Sequence, residues 1–130
     1  MIHYLDTSAL VKLVVAERET NALRAWLADR ETSVVSSDLA RTELLRAVRR
    51  THPDRAPRAR TVLDSIDLLK LATEDYDAAG RIGSDDLRSL DAIHLVAALK
   101  LGDDLESLVT YDRRLADAAQ SNGITVLAPA

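Results

Sequence analysis

Hydrophobic residues in this chain form short runs that alternate with longer segments in which apolar residues recur every three or four positions. Five runs of strand length are bounded by polar residues, which predicts β-strands at 2–5, 34–36, 68–71, 108–110 and 124–127. The segments between them have helical length. This alternation predicts an α/β fold, with a mostly parallel sheet of about five strands covered by helices on both faces.

Composition narrows this picture to one domain with an aliphatic core. The chain has 130 residues, of which 47% are hydrophobic, with no Phe and one Trp. The clearest loop, at 51–57, contains Pro53 and Pro57 and is too short to separate domains, so we expect a single domain over 1–130. Pro57 is expected to open the next helix. The lack of cysteine excludes disulfides and Cys-based zinc sites and fits a reducing compartment, so the expected location is the cytoplasm.

Charge and hydropathy limit the classes of partner. No uncharged span is long enough for a membrane helix, and the N-terminus does not have the pattern of a secretory signal. The net charge of -4 argues against binding nucleic acid by bulk electrostatics. Basic residues are nevertheless concentrated between 41 and 60, which indicates either a nucleic-acid track or a solvated basic face. They include Arg46, Arg49, Arg50, Arg55, Arg58 and Arg60.

Four acids lie beside or within apolar stretches, where a solvated carboxylate is not expected: Asp6, Glu43, Asp91 and Asp112. An isolated buried carboxylate costs several kcal/mol. Four such groups are compatible with a stable fold if a positive charge lies between them, and a divalent cation is the best candidate.

Asp6 and Asp112 each follow a predicted strand directly. In a parallel α/β sheet, ligands bind at the carboxyl ends of the strands, so both acids are expected at the functional edge. A simpler alternative is that both are acids at helix N-termini, stabilised by the helix dipole. Thr7 and Ser8 are suited to capping the helix after Asp6.

Glu43 and Asp91 lie within predicted helices. Glu43 borders an apolar stripe and could instead be a surface residue near Arg46 or Arg50. Asp91 lies in a helix that is apolar nearly all round, and its structural alternative is a salt bridge to Arg88. His94, one turn further on, is expected to be a hydrogen-bonded core residue rather than a catalytic group.

The order and spacing of four segments carry a resemblance over essentially the whole chain. They are Leu-Asp-Thr-Ser-Ala-Leu at 5–10, Glu43, Leu-Arg-Ser-Leu-Asp-Ala-Ile-His-Leu at 87–95 and Val-Thr-Tyr-Asp-Arg-Arg-Leu at 109–115. Together they resemble PIN-domain ribonucleases of the VapC toxin type. The resemblance implies a three-layer α/β/α sandwich, and a Mg²⁺- or Mn²⁺-dependent endoribonuclease. It also implies a homodimer that a cognate antitoxin holds inactive.

Residue roles follow from this resemblance together with ligand chemistry. Hard oxygen ligands suit Mg²⁺, with Mn²⁺ as a possible substitute, so Asp6, Asp91 and Asp112 are the expected metal ligands. Glu43 is expected either to bind metal or to act as the base for the attacking water. Thr110 and Ser8 are expected to support the acids, although Ser8 is more simply interpreted as a helix cap. The residues expected to contact RNA are Arg46, Arg49, Arg50 and Arg113.

Two other functions remain open on the sequence alone. A phosphatase of the haloacid-dehalogenase type would also place an Asp after the first strand, but it usually shows Asp-x-Asp-x-Thr, and Ser8 occupies the second acidic position here. A PIN-like module that binds RNA or protein without cutting would be expected to lack one of the four acids. All four are present, which favours catalysis.

Overall fold

Five parallel strands form the centre of the protein and helices cover both faces. The computed structural model describes residues 1–29 and 33–130. Within these residues the strands are β1 Ile2–Leu5, β2 Ser33–Ser37, β3 Asp67–Leu69, β4 Leu105–Val109 and β5 Val126–Leu127. The α-helices are α1 Thr7–Val14, α2 Thr20–Ala28, α3 Leu39–Thr51, α4 Ala56–Asp64, α5 Thr73–Ala79, α6 Ser89–Leu99 and α7 Arg113–Ser121.

The strand order is β3-β2-β1-β4-β5, and every neighbouring pair is parallel. The predicted α/β class is confirmed, and each predicted strand has its counterpart in the sheet. β4 begins three residues earlier than predicted, and β5 is two residues shorter. The chain moves outward from β1 in opposite directions, so the order reverses between β1 and β4. Such a reversal opens a crevice at the carboxyl ends of the two strands, where α/β proteins bind ligands.

Neighbouring residues of the central strands enter two separate cores, because side chains alternate between the faces of a sheet. Tyr4 and Leu108 pack with α6 and α7 on one face. Leu5 and Val109 pack with helices α1 to α4 on the other face. All four side chains are fully buried. Apart from Tyr4, the fully buried apolar side chains described are aliphatic, as predicted from the composition.

The helices that carry the acids are positioned by their apolar faces. α6 buries almost every residue from Ala92 to Ala98, as its uniform apolarity predicts. α3 ends at Thr51, before the 3-10 turn Pro53–Arg55, and Pro57 lies in the first turn of α4 as predicted. Among the described residues, no helix is both long and apolar enough to span a membrane.

Candidate active site

Asp6 and Asp112 follow the ends of β1 and β4, and these two strands are neighbours in the sheet. The backbone amide of Asp6 donates to the carbonyl of Val109 at 3.2 Å, which holds the two strand ends side by side. Asp6 also caps α1, because its Oδ1 accepts the amide hydrogen of Ala9 at 3.0 Å. The prediction that Thr7 or Ser8 caps this helix is therefore wrong: both lie in its first turn. Asp6 serves at once as the cap and as an acid of the site.

Three donors surround the carboxylate of Asp6, a residue that is only 2% exposed. Besides the amide of Ala9, its Oδ1 accepts the Ser8 hydroxyl at 2.7 Å, and its Oδ2 accepts the Thr110 hydroxyl at 2.6 Å. Both hydroxyls are fixed in turn. The Thr110 Oγ1 accepts the amide of Asp112 at 3.0 Å, and the Ser8 Oγ accepts the amide of Tyr111 at 2.9 Å.

Burial nevertheless raises the pKa of Asp6 above its ordinary value. The nearby imidazole of His94 and the three hydrogen bonds oppose this rise and do not cancel it. The protein therefore holds this carboxylate firmly in place at an electrostatic cost. A cation beside the carboxylate would offset that cost.

Glu43 is half-buried on α3, and its Oε1 accepts two hydrogen bonds. The Nε2 of His94 lies 2.6 Å from this oxygen, and the Thr7 hydroxyl donates to it at 2.7 Å. Burial alone raises the pKa of Glu43, but the contacts with His94 and Thr7 outweigh burial and hold it below the ordinary value. Glu43 is therefore an ionised carboxylate of the site. Neither Arg46 nor Arg50 forms an ion pair with it.

Asp91 lies in the first turn of α6 and is partly buried. Burial raises its pKa to about 6, and the negative charges of Asp112 and Asp6 add to the rise. This electrostatic coupling shows that the acids from β1, α6 and the start of α7 share one neighbourhood. The alternative ion pair with Arg88 is absent among the described residues.

Asp112 caps α7 with one carboxylate oxygen. Its Oδ1 accepts the amides of Arg114 at 2.9 Å and Leu115 at 3.3 Å. The helix-terminus alternative is thus correct as far as it goes, for Asp112 as for Asp6. It does not exclude a second role, because no hydrogen bond from the described residues reaches Oδ2 of Asp112.

The chemistry of the four acids fits a divalent cation. The donor oxygens are hard ligands of the kind that Mg²⁺ and Mn²⁺ prefer. In the described part of the chain, no lysine or arginine forms an ion pair with any of the four acids. Over residues 1–29 and 33–130, however, no three acid or histidine side chains already stand close enough to hold a metal ion. The site therefore has the negative charge and the oxygen donors that a cation needs, but its described side chains are not close enough together to coordinate one.

The predicted RNA-binding arginines fall at different places around this site. Arg46 and Arg50 line a groove of about 350 Å³, together with Thr7, Glu43 and the half-exposed Leu90. Arg113 lines a second, shallower groove of about 310 Å³ beside Thr110 and Asp112. Arg49 is exposed on α3 and lines neither groove.

Sequence reasoning placed His94 in the core and missed its contact with the site. His94 is buried and hydrogen-bonded, as expected, but its partners are Glu43 and the hydroxyl of Tyr4, which lies 2.7 Å from Nδ1. Thr7 was considered only as a cap. A signal was available, because a histidine within an apolar helix needs polar partners, and Asp91 lies one turn away from His94.

Residues 3–121 match the PIN domain family. The chain belongs to this family. Curated relatives are similar over almost their whole length: Ribonuclease VapC46 of Mycobacterium tuberculosis is 46% identical over 97% of this chain and 96% of the relative. Ribonuclease VapC47 of the same species is 42% identical over the same shares. These relatives place the chain among the VapC-type ribonucleases of the family, whose members in general depend on a divalent metal ion.

Solved structures share this fold at low sequence identity. Mycobacterium tuberculosis VapC20, a toxin that cleaves the sarcin-ricin loop, matches with a TM-score of 0.80 at 16% identity, over 98% of this chain and 99% of that chain. A toxin-antitoxin complex from Klebsiella pneumoniae matches with a TM-score of 0.72 at 19% identity, over 98% of both chains. At these identities the likeness confirms the fold alone.

Proposed function

We propose that this chain cuts RNA internally, as the toxin of a toxin-antitoxin pair, by metal-dependent hydrolysis of phosphodiester bonds. The observation that carries the proposal is the pair of contacts made by Thr110, whose hydroxyl donates to the carboxylate of Asp6 and accepts the amide of Asp112, and so ties both acids to the ends of β1 and β4. The pKa of Asp91, raised by burial and by the charges of Asp112 and Asp6, supports the proposal, because acids with pKa values perturbed in this way are candidates for functional residues. The family membership supports the same activity.

Asp6, Asp91 and Asp112 would hold the ion, which we propose is Mg²⁺, with Mn²⁺ as a substitute. The ion would supply an activated water and neutralise charge that develops on the phosphate. The protein itself orients the acids. Thr110 and Ser8 fix both oxygens of Asp6, and Thr110 also fixes the backbone of Asp112. Glu43, held ionised where it lines the groove, would bind metal as well or act as the base for the attacking water.

RNA would approach along the groove that Arg46 and Arg50 line. Thr7 and Glu43 line the same groove, so these two arginines and one of the four acids lie along one path. Two guanidinium groups can hold phosphates without reading sequence. Arg113 would contact the strand on the other side of the site, beside Asp112. Arg49, which lies outside both grooves, would act only at longer range.

The partner that restrains this activity would be a cognate antitoxin. One similar structure is a complex of toxin and antitoxin, and another is VapBC2 of Rickettsia felis bound to a fragment of promoter DNA. Leu10 and Val14 of α1 are buried in the core, so the apolar face of this helix is not the surface we propose for the partner.

The proposal is tested by incubating a mixed RNA pool with the purified chain, with Mg²⁺ or Mn²⁺ and with EDTA. We expect cutting that requires metal and falls by about 10³-fold or more in Asp6→Asn and in Asp91→Asn. Asp103→Asn is the matched control, because Asp103 is exposed before β4, at the opposite edge of the sheet. It should cut like the parent.

Three outcomes would contradict this proposal. Cutting that continues in EDTA would exclude metal dependence. Equal cutting by the parent and Asp6→Asn, prepared identically, would identify a contaminating nuclease. A folded parent that cuts no RNA with either metal would favour the non-catalytic binding module.

A further inference from the structure

Glu43 is one end of a hydrogen-bond network that continues into the protein core. It runs from the Tyr4 hydroxyl to Nδ1 of His94 at 2.7 Å, and from Nε2 of His94 to Oε1 of Glu43 at 2.6 Å. Tyr4 and His94 are 0% and 1% exposed, so water does not compete for these contacts. The network joins β1, α6 and α3, three elements far apart in sequence.

The contact with Glu43 determines the position of one hydrogen on His94. An ionised carboxylate accepts hydrogen bonds only, so the 2.6 Å contact requires a hydrogen on Nε2 of His94. Nδ1 lies 2.7 Å from the Tyr4 hydroxyl, which can donate to it or accept from it. Burial raises the pKa of Tyr4, so its phenol keeps its proton. Tyr4 therefore holds the inner nitrogen of the ring while Nε2 donates to Glu43.

The two carboxylate oxygens of Glu43 differ in their hydrogen bonds. Oε1 receives hydrogens from both His94 and Thr7, and Thr7 lies 3.2 Å from Nε2 as well, which closes a triangle. No donor among the described residues reaches Oε2. One oxygen is therefore committed to the protein and the other is available to the groove that Glu43 lines.

We infer that His94 is a positioning residue of the nuclease, which holds Glu43 so that its Oε2 is presented to the metal-binding acids and the RNA. This inference rests on the proposed function and deepens it. In this proposal His94 touches neither substrate nor metal and positions the carboxylate of Glu43. Groups that orient a ligand or catalytic carboxylate in this way affect activity by about 10- to 100-fold.

The kinetic test compares two substitutions of His94. His94→Leu keeps much of the volume but removes the donor, and we expect kcat to fall about 10- to 100-fold with little change in KM. His94→Gln places an amide donor near the position of Nε2, and we expect it to recover most of the lost kcat. His3→Gln is the matched control, because His3 is also a buried histidine, bonded to Ser107 at the other end of β1. It should leave kcat unchanged.

A double-mutant cycle separates positioning from general structural damage. If His94 acts through Glu43, then His94→Leu costs no further activity in a Glu43→Gln background. Equal fold losses in both backgrounds would overturn the inference, as would full activity of folded His94→Leu. A parent without metal-dependent cutting would instead remove the proposed function on which the inference rests, and with it the inference.

A readout that needs no RNA complements the kinetics. The chain has three histidines, so long-range ¹H–¹⁵N spectra of the imidazoles are simple, and His94→Gln assigns one of them. We expect a hydrogen on Nε2 of His94, with a resonance that moves in Glu43→Gln. A His94 ring with no hydrogen on Nε2, or a resonance insensitive to Glu43→Gln, would overturn the positioning role even if the enzyme is active.

Discussion

Asp6 and Asp91 belong to the same candidate site but are held in opposite ways. Both oxygens of Asp6 are bonded by protein donors, and the residue is part of the turn that starts α1. Asp91 has no hydrogen bond from the described residues to its carboxylate, and its pKa is raised by burial and by neighbouring acids. Asp6 is held by hydrogen bonds in the turn that starts α1. Asp91 lies on the surface of α6, where burial and neighbouring negative charges oppose its ionised form.

This difference shows how a fold can hold four acids together at tolerable cost. The half of the site around Asp6 is stabilised by hydrogen bonds that any stable fold would use. The half around Asp91 carries a repulsion between carboxylates that a bound cation would relieve. We therefore expect substitutions in the first half to destabilise the protein and charge removal in the second half to stabilise it.

Thr110→Val should have the largest effect on stability. Thr110 is 1% exposed, and the valine leaves Oδ2 of Asp6 without its donor and the amide of Asp112 without its acceptor. We expect a loss of about 2–3 kcal/mol in the free energy of unfolding, measured by chemical denaturation. Thr110→Ser keeps the hydroxyl and should lose less than about 1 kcal/mol. Unchanged stability of Thr110→Val would show that these two bonds contribute little.

Asp91→Asn should stabilise the apoprotein while it abolishes cutting. The amide removes a carboxylate whose pKa is raised to about 6, so the folded state no longer carries that charge at neutral pH. Because Asp91 is partly exposed, we expect a gain on the order of 1 kcal/mol, or a few degrees in Tm. The measurement is thermal unfolding without metal. A lower Tm than that of the parent would mean that Asp91 is a structural acid.

The stability gained in Asp91→Asn should increase as the pH rises from 4 to 7. The folded pKa of Asp91 lies above its unfolded value of 3.8, so the charged form destabilises the folded protein above about pH 6. As the pH falls toward 4, the carboxyl binds a proton and the penalty disappears. The difference in unfolding free energy between Asp91→Asn and the parent should therefore be full at pH 7 and vanish near pH 4. A difference that is constant over this interval would contradict the assignment.

The smallest effect is expected on the basic side of the site. In an Asp91→Asn background, which prevents cutting, Arg46→Ala or Arg50→Ala should weaken RNA binding a few-fold. Each should also reduce the slope of log affinity against log salt by about 1. Arg24→Ala is the control, because Arg24 is exposed on α2 and lines neither groove. Equal salt slopes in the Arg46 variant and its parent would exclude this groove as the RNA path.

The sequence predicted best what depends on strand ends. An acid directly after a strand of a parallel sheet must lie at its carboxyl edge, so the positions of Asp6 and Asp112 could be inferred locally. The capping of α1 was assigned wrongly to Thr7 or Ser8, because the usual pattern favours Ser or Thr, whereas Asp6 caps the helix. The sequence offered the helix terminus and the functional edge as alternatives for Asp6 and did not indicate that one residue could have both roles.

Contacts between helices were the least predictable part. His94 reaches Glu43 only because α3 and α6 approach each other at the same edge, which is a property of the packed fold. That Arg46 and Arg50 line the groove beside Glu43, whereas Arg49 does not, could have been predicted from helical spacing. Arg46 and Arg50 are four residues apart and share a face of α3 with Glu43, whereas Arg49 lies on a different face.

The double role of Asp6 has a consequence for how this protein can lose its activity during evolution. Asparagine caps a helix about as well as aspartate, and the two residues are related by one base change in their codons. A single point mutation at Asp6 is therefore expected to yield a chain that still folds and has lost an acid of the site. Where unrestrained activity of the protein harms the host, selection is expected to favour such variants, which are folded but inactive.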